Sequence, residues 1–313
     1  MEFRQDHSIP LEDMKDLVTA IFVLTDDLYN ESVAEEIKNR LHKDKAIMSD
    51  SEIITIAIMG EIMSIDSENA WVRYVHKNMR DLFPRMCERS RFNRLRRNLS
   101  SVTEHIRVKL GSKLDFTEDD YRIVDSLPLQ VCEFGRAKFC RSFKGEGADY
   151  GHCPSKKKTY FGYKFHALCT TNGYITDFFI TPASVDDRVA VWDLIQEYGS
   201  YLKLIGDKGY TGVDFTQNLW DQKGVLMISL KKNNAKNPDP KPIRQTVFRV
   251  RRRIETSFSQ LADQFKAENV RAKTLWGLFT RLQSKILAFN LCFAINWLSG
   301  RSDRIACIKS LVF

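Results

Sequence analysis

The sequence predicts an α/β fold, a mixed sheet flanked by helices and preceded by an all-helical domain. Three observations carry this. The first 115 residues or so place apolar side chains at helical spacing. From about residue 121 the pattern changes to short β-branched and aromatic runs, two of them joined by Asn172-Gly173, a strong two-residue hairpin signal. Beyond that hairpin, strand patterns alternate with helical ones and end in a long helical tail.

Residues 11–45 read as helices, with Leu17, Ala20, Ile21, Leu24 and Leu28 on one face. Ser49 and Glu52 form a capping box for the next helix, the serine oxygen placed to accept a free backbone N–H. Residues 70–110 continue helical and become arginine-rich. There Phe92, Leu95 and Leu99 make an apolar stripe that Arg91, Arg94, Arg96 and Arg97 surround.

The first strand pattern, from Tyr121, is short and β-branched, and Pro128 argues against a helix. In the second, Tyr160, Gly162 and Lys164 alternate with Phe161, Tyr163 and Phe165; the third runs from Tyr174 to Pro182. A helix follows with Asp186 or Asp187 near its start. Then come a strand ending at Asp207, a helix from Val213, and a short buried strand from Val225. The stretch Lys231 to Pro242, with three prolines and three asparagines, is the clearest loop. The order β, β, β, α, β, α, β is that of the ribonuclease-H-like fold, with an antiparallel edge on the sheet. The expected boundaries are a helical domain over 1–117, a sheet-bearing domain with a helical C-terminal part over 118–300, and a tail over 301–313.

Charge points to a partner. The 313 residues carry a net +8, concentrated in residues 231–285, with 14 Lys and Arg against 4 Asp and Glu, and in residues 81–110, with 8 against 3. Basic charge gathered in two segments suits a polyanion. A 43% hydrophobic content excludes a disordered chain. The seven cysteines follow no regular framework, which suits a reducing cytosol. Cys132, Cys140, His152 and Cys153 raise the question of zinc, but their spacing lacks the paired-ligand pattern. The polar N-terminus has no signal-peptide core, and charges break the apolar stretches before about 18 residues, so neither a secretory signal nor a membrane span is expected.

Asp125 interrupts the first strand, where a charge is expensive unless paired or metal-bound. Asp207 ends the fourth strand, a neighbour of the first in a ribonuclease-H-like sheet, so the two carboxylates are expected to face each other. Asp187 and Asp214 are alternatives, although both look like helix starts. In the tail, Val247, Val250, Ile254, Phe258, Leu261 and Phe265 form an amphipathic stripe, and Glu255 borders it about 100° round from Ile254. Arg251 and Ser259 flank Glu255 one turn either way; an Arg251–Glu255 surface ion pair is the plainer account. Converging carboxylates need a cation. Oxygen-only ligands suit Mg²⁺ or Mn²⁺, and two such ions serve in-line displacement at phosphorus.

Asp125, Asp207 and Glu255, in this order and on these elements, resemble the Asp-Asp-Glu triad of transposases with a ribonuclease-H-like core. The intervals of 82 and 48 residues leave no room for a large insertion before the glutamate. More closely, the chain is similar to bacterial insertion-sequence family 982 transposases. The similar stretches are "SDSEIITIAIMGEI", "LFPRMCERSRFNRLRRNL", "SKKKTYFGYKFHALCT", "IGDKGY" and "RRRIETSFSQL", followed by "ILAFNLCFAINWL". It departs from the wider insertion-sequence family 4 clan, whose Tyr-x2-Arg-x3-Glu-x6-Lys signature falls here on Phe248, Arg251, Glu255 and Ala262. The arginine and glutamate fit; the tyrosine and lysine do not.

The resemblance implies that DNA is cut at an element's ends and that the freed 3′-hydroxyls attack target DNA. Asp125 and Asp207 would bridge two Mg²⁺ or Mn²⁺ ions and Glu255 would bind one. Arg251 would hold a phosphate or position Glu255. Arg89, Arg91, Arg94, Arg96 and Arg97 would form an end-recognition helix, and Lys156, Lys157, Lys158, Lys208 and Arg252 would add DNA contacts. A homodimer on double-stranded DNA, in the cytoplasm, is implied too. The alternatives are a Mg²⁺-dependent nuclease that cuts without joining, and a transposase-derived DNA-binding protein that has lost catalysis.

Overall fold

The computed structural model describes residues 13–41, 43–154, 157–199, 201–231 and 237–301. Lys156 and residues 302–313 of the expected tail lie outside the described residues. The helices are α1 (Met14–Ser32), α2 (Glu35–Lys38), α3 (Asp50–Ile62), α4 (Glu68–Asn78), α5 (Arg89–Asn98), α6 (Ser100–Lys113), α7 (Asp187–Leu194), α8 (Val213–Lys223), α9 (Lys241–Asp263) and α10 (Leu275–Leu298). The strands are β1 (Tyr121–Cys132), β2 (Asp149–Cys153), β3 (Lys158–Cys169), β4 (Ile175–Pro182), β5 (Lys203–Gly206) and β6 (Leu226–Ser229).

Two compact units divide the chain. One takes the residues up to Asp115, residues 263–272 and the chain from Trp276 on; the other takes Phe116–Ala262 and Lys273–Leu275. The sequence assigns α10 to the sheet-bearing part, whereas its contacts group it with the N-terminal helices.

In the helical unit, the capping box at α3 forms as expected. Ser49 Oγ accepts from Glu52 N at 3.0 Å, and Glu52 Oε2 accepts from Ser49 N at 2.6 Å. Every residue of α3 but Glu52 is buried, Asp50 and Glu61 included, because its apolar residues surround the helix. α10 is long and apolar enough to cross a membrane by length and composition, contrary to the sequence expectation, yet 94% of that stretch is buried within the protein. It is a core helix. Its charges are neutralised inside: Glu61 of α3 pairs with Arg281 at 2.8 Å and with Lys285 at 2.5 Å. Burial opposes ionisation of Glu61, but the two cations overcome it and hold the carboxyl below its ordinary range.

In the other unit, β1 lies centrally, antiparallel to β3 and parallel to β5, and β5 pairs parallel with β6 at the edge. On its other side β3 pairs with β2 along its first half and with β4 along its second. This is the mixed sheet with an antiparallel side that the ribonuclease-H-like element order demands. β2 is the strand that the sequence does not reveal. The Asn172-Gly173 turn is present, with Gly173 at φ 96°, but the link spans residues 170–174 and closes through Thr170 N to Tyr174 O at 2.9 Å. It is longer than the two-residue hairpin expected, because the register of β3 and β4 shifts at Leu168/Cys169.

The two faces of the sheet differ. Val124, Leu168 and Leu204 pack with Val191, Leu194 and Leu219 of α7 and α8. Asp125, Leu127 and Phe165 alternate onto the opposite face, where Phe165 meets Phe258 of α9 edge-on at 5.9 Å. Ser257 of α9 also donates to the Gly173 carbonyl at 2.8 Å.

Removing one partner from a buried ion group leaves the others uncompensated. Glu61→Ala is therefore expected to destabilise the helical unit by about 3–5 kcal/mol, read as a lower denaturant midpoint with an unchanged slope.

Candidate functional site

The parallel register pairs Ile123 with Ile205. Asp125 lies two residues beyond Ile123 on β1, and Asp207 two residues beyond Ile205, just past the end of β5, so strand alternation directs both carboxylates to the face that α9 covers. Asp207 keeps an extended backbone (φ −79°, ψ −175°) as the strand ends, and its Oδ1 accepts from Gly209 N at 2.6 Å. A Cβ on Gly209 would lie 2.8 Å from that same oxygen. A Cβ on Gly206 would lie 2.5 Å from Met227 and 2.8 Å from the ring of Tyr210, which is buried in the core. Each letter of Gly206-Asp207-Lys208-Gly209-Tyr210 except the lysine thus has a steric or hydrogen-bonding reason.

α9 supplies the rest. Arg251 Nη2 lies 3.7 Å from Asp125 Oδ2 and 3.7 Å from Glu255 Oε1, so one guanidinium stands between both carboxylates. Arg251 is 13% exposed and its Nε has no hydrogen-bond partner, whereas Glu255 is 56% exposed. The Arg251–Glu255 pair expected from spacing exists, but it reaches into the sheet through Asp125. Burial pushes the Asp125 carboxyl up to about 7; Ser126 N, donating at 2.8 Å, and Arg251 oppose the shift, and Asp207 and Asp187 add to it.

This is a site short of positive charge. Its donors are all oxygens, the chemistry of Mg²⁺ or Mn²⁺, and the raised Asp125 carboxyl and the guanidinium drawn between two acids both fit a cation there. Among the described residues no three His, Cys, Asp or Glu side chains form a ready-made metal-binding group. That holds for Cys132, Cys140, His152 and Cys153 as well; Cys132 instead neighbours Cys140, and burial and that thiol push it up to about 11.

Asp187 is what sequence reasoning set aside as a helix start. It is one: Asp186 caps α7 and Asp187 opens it. It also accepts from Lys164 Nζ at 2.6 Å and from Ser126 Oγ at 3.2 Å, on the sheet face opposite α9 and one residue from Asp125. His166, beside it, is fully buried. Its Nε2 lies 2.8 Å from Thr181 Oγ1, and burial pushes it down to about 4, so it is a packed, neutral strand histidine. The alternation of Lys164 and His166 on β3 was the available signal.

The basic residues divide. Arg89, Arg91 and Arg94 of α5 are exposed. Arg96 is 9% exposed and turned towards Glu68 at 3.5 Å, and burial pushes its guanidinium down to about 10. Arg97 is half-buried; Arg252 and Lys157 are exposed; Lys208 is half-buried beside Asp207. Lys158 is engaged with Gln130 at 3.0 Å and Glu133 at 3.3 Å.

No curated protein and no solved structure matches the chain. The transposase DDE domain family does, over residues 117–291, a span that contains β1, β5 and α9 with all three acidic residues. Since that is more than half of its length, the chain belongs to the transposase DDE domain family.

Proposed function

We propose that the protein cleaves the ends of an insertion sequence and joins the freed 3′-hydroxyls to target DNA, with Asp125, Asp207 and Glu255 as its catalytic carboxylates. The observation that supports this is the pairing of β1 with β5 just before Asp125 and Asp207, with Arg251 of α9 within 3.7 Å of both Asp125 and Glu255. The similarity to insertion-sequence family 982 supports the transposition pathway in particular.

Asp125, Asp207 and Glu255 would hold two Mg²⁺ or Mn²⁺ ions, which supply a polarised phosphate and an activated attacking oxygen. The chain's own residues do the positioning. Ser126 N and Gly209 N each fix one oxygen of Asp125 and Asp207, which leaves the second oxygen of each for other partners. Arg251 holds Asp125 and Glu255 together and would meet a phosphate oxygen beside them. Arg89, Arg91 and Arg94, exposed on α5, suit contact with DNA ends in a helical DNA-binding domain. Arg97, Lys157, Lys208 and Arg252 are further candidates for phosphate contact. Arg96, engaged with Glu68, serves the packing of that domain instead. Synapsis of two ends calls for a homodimer on DNA.

The test combines purified protein, Mg²⁺ or Mn²⁺, the labelled DNA that flanks its own coding sequence, and a target plasmid. Joined products are expected. Cleavage without joining would make it a nuclease; tight binding with neither would make it a DNA-binding derivative. Asp207→Asn is expected to lower cleavage at least about a thousand-fold, the loss of several kcal/mol of transition-state stabilisation, and to leave DNA affinity within a few-fold. If about eight phosphates are neutralised, log affinity should fall with log salt at a slope near −7.

The raised Asp125 carboxyl has a consequence for stability. It titrates near 7 in the folded protein and near 3.9 in an unfolded chain. The folded state therefore binds this proton more tightly, and stability falls as pH rises from about 4 to 7, by at most about 4 kcal/mol. In metal-free buffer Asp125→Asn should raise the Tm at pH 8 and leave it unchanged near pH 4. A divalent cation should stabilise the wild type more at pH 8 than at pH 5.

A further inference from the structure

β5 supports β1 only at its start. The parallel pairing covers Tyr121, Arg122 and Ile123 and stops there. Among the described residues, β1 beyond Ile123 has a ladder partner on one side alone, β3. Asp125 and Ser126 therefore sit on a strand held along one edge, although a carboxylate that meets a metal or a phosphate must keep one orientation. The Ser126 N–H donates to Asp125 Oδ1 at 2.8 Å, so whatever fixes the Ser126 peptide fixes that carboxylate.

Ser126 is held from the other face of the sheet. Its hydroxyl carries one hydrogen, and an ionised carboxylate only accepts, so Ser126 Oγ donates to Asp187 Oδ2 at 3.2 Å. The second oxygen, Oδ1, accepts from Lys164 Nζ at 2.6 Å. Lys164 and Ser126 lie on paired strands, so one carboxylate bridges β3 and β1. The start of α7 does not need this acid as its cap. Asp186 serves there, its side chain accepting from Arg188 N at 2.9 Å. The surroundings of Asp187 are not completed for stability either. Two buried polar atoms have no hydrogen-bond partner among the described residues. One is His166 Nδ1, 3.9 Å from Asp187 Oδ1. The other is the Tyr210 hydroxyl, on which Asp187 acts more strongly than any other charge. Unmet buried groups cost stability. A carboxylate that leaves two of them unmet while giving an oxygen to Ser126 serves that serine.

We propose that Asp187 is a positioning residue for Asp125: by accepting from the Ser126 hydroxyl it fixes the Asp125–Ser126 peptide against β3, and so sets the orientation of the Asp125 carboxylate. The inference rests on the reading of Asp125 as a catalytic carboxylate proposed above. Asp187 touches neither metal nor DNA in this role; it acts through Ser126, from behind the strand. Lys164 holds Asp187 in place by the oxygen that Ser126 does not use. Partners of this kind orient the groups that bind a metal, and removing one costs about ten- to a hundred-fold in activity or metal affinity.

The test reads hydrogen exchange and turnover in the same variants of the full chain. Ser126→Ala removes the hydroxyl and leaves the Asp187–Lys164 pair; Ser126→Thr keeps a hydroxyl; Asp187→Asn removes the charge. Without metal or DNA, exchange of the residue 126 amide, corrected for its intrinsic rate, should quicken about ten-fold in Ser126→Ala and in Asp187→Asn. It should stay within about two-fold of wild type in Ser126→Thr, and the Leu168 amide on β3 should be unchanged in all three. With Mg²⁺ and the DNA that flanks the coding sequence, kcat should fall about ten- to a hundred-fold in Ser126→Ala and Asp187→Asn, with KM for DNA unchanged, and Ser126→Thr should stay near wild type. The double variant should lose less than the product of the two single losses, because both cut the same link. Unchanged exchange at residue 126 in Ser126→Ala overturns the proposal. So does an equal quickening at Leu168, which would make the contact a general support of the sheet, and so does a rise in KM with kcat unchanged. If Asp187→Asn does not fold, Ser126→Ala against Ser126→Thr carries the same decision. A wild type that cleaves no DNA would sink the proposed function, while the exchange at residue 126 still decides whether Asp187 fixes the peptide.

Discussion

Two carboxylates brought to the same end of adjacent parallel strands disfavour each other's ionisation, and Asp207 does so to Asp125. The pairing of β1 with β5 imposes that arrangement on Asp125 and Asp207, and much of the surrounding unit is arranged around it. The strands must run parallel so that both acids emerge at the same end. A connection must leave the sheet after β4 and return, which α7 provides. The chain must turn sharply after Asp207 without filling the space in front of it, which Gly209 allows while donating its N–H to the carboxylate. α9 must then cross the same face, anchored by Phe258 on Phe165, so that Arg251 arrives between Asp125 and Glu255.

The two units treat charge in opposite ways. In the helical unit buried acids are outnumbered by cations. Glu61 has Arg281 and Lys285; Asp50 has Arg40 at 2.5 Å and Lys43 at 2.9 Å. Their partners are complete, and such groups fix packing. Around β1 the balance reverses: Asp187 and Asp207 both act on Asp125, and the cations nearby, Arg251 and Lys164, are shared with Glu255 or confined to the far face. A fold gains no stability from such an excess. Its persistence in a structure that elsewhere neutralises its buried charges marks function, not packing.

Much of this was legible in the sequence because it is local or periodic. Strand alternation gave Asp125 a direction, the end of an apolar run located Asp207, and the 3- and 4-residue steps of the α9 stripe set Glu255 at its border. Ser49 and Glu52 needed only a three-residue offset. What was not legible depends on partners distant in the chain. β2 is five residues with a glycine, and it is a strand because β3 pairs with it; Gly151 is required there because a Cβ would lie 2.7 Å from that of Ala183. Arg96 looked like its exposed neighbours until Glu68, from the preceding helix, turned it inward. Asp187 read as a helix start, and its contacts with Ser126 and Lys164 come from two strands, 61 and 23 residues earlier. The apolar run of α10 was judged by its charges, whose partner Glu61 lies more than 200 residues earlier.

Asp187 shows how the two faces of β1 are coupled. Asp125 points to α9, and the next residue, Ser126, points the other way and donates to Asp187 at the start of α7. The peptide between them also gives its N–H to Asp125. A displacement of α7 would therefore pass through Ser126 to the carboxylate on the opposite face, although Asp187 itself lies on the other side of the sheet. Lys164, bonded to Asp187 from β3, resists such a displacement. The strand that bears the first carboxylate is thus clamped from behind by a second acid, and the field of that acid adds to the pressure that keeps the Asp125 site in need of positive charge.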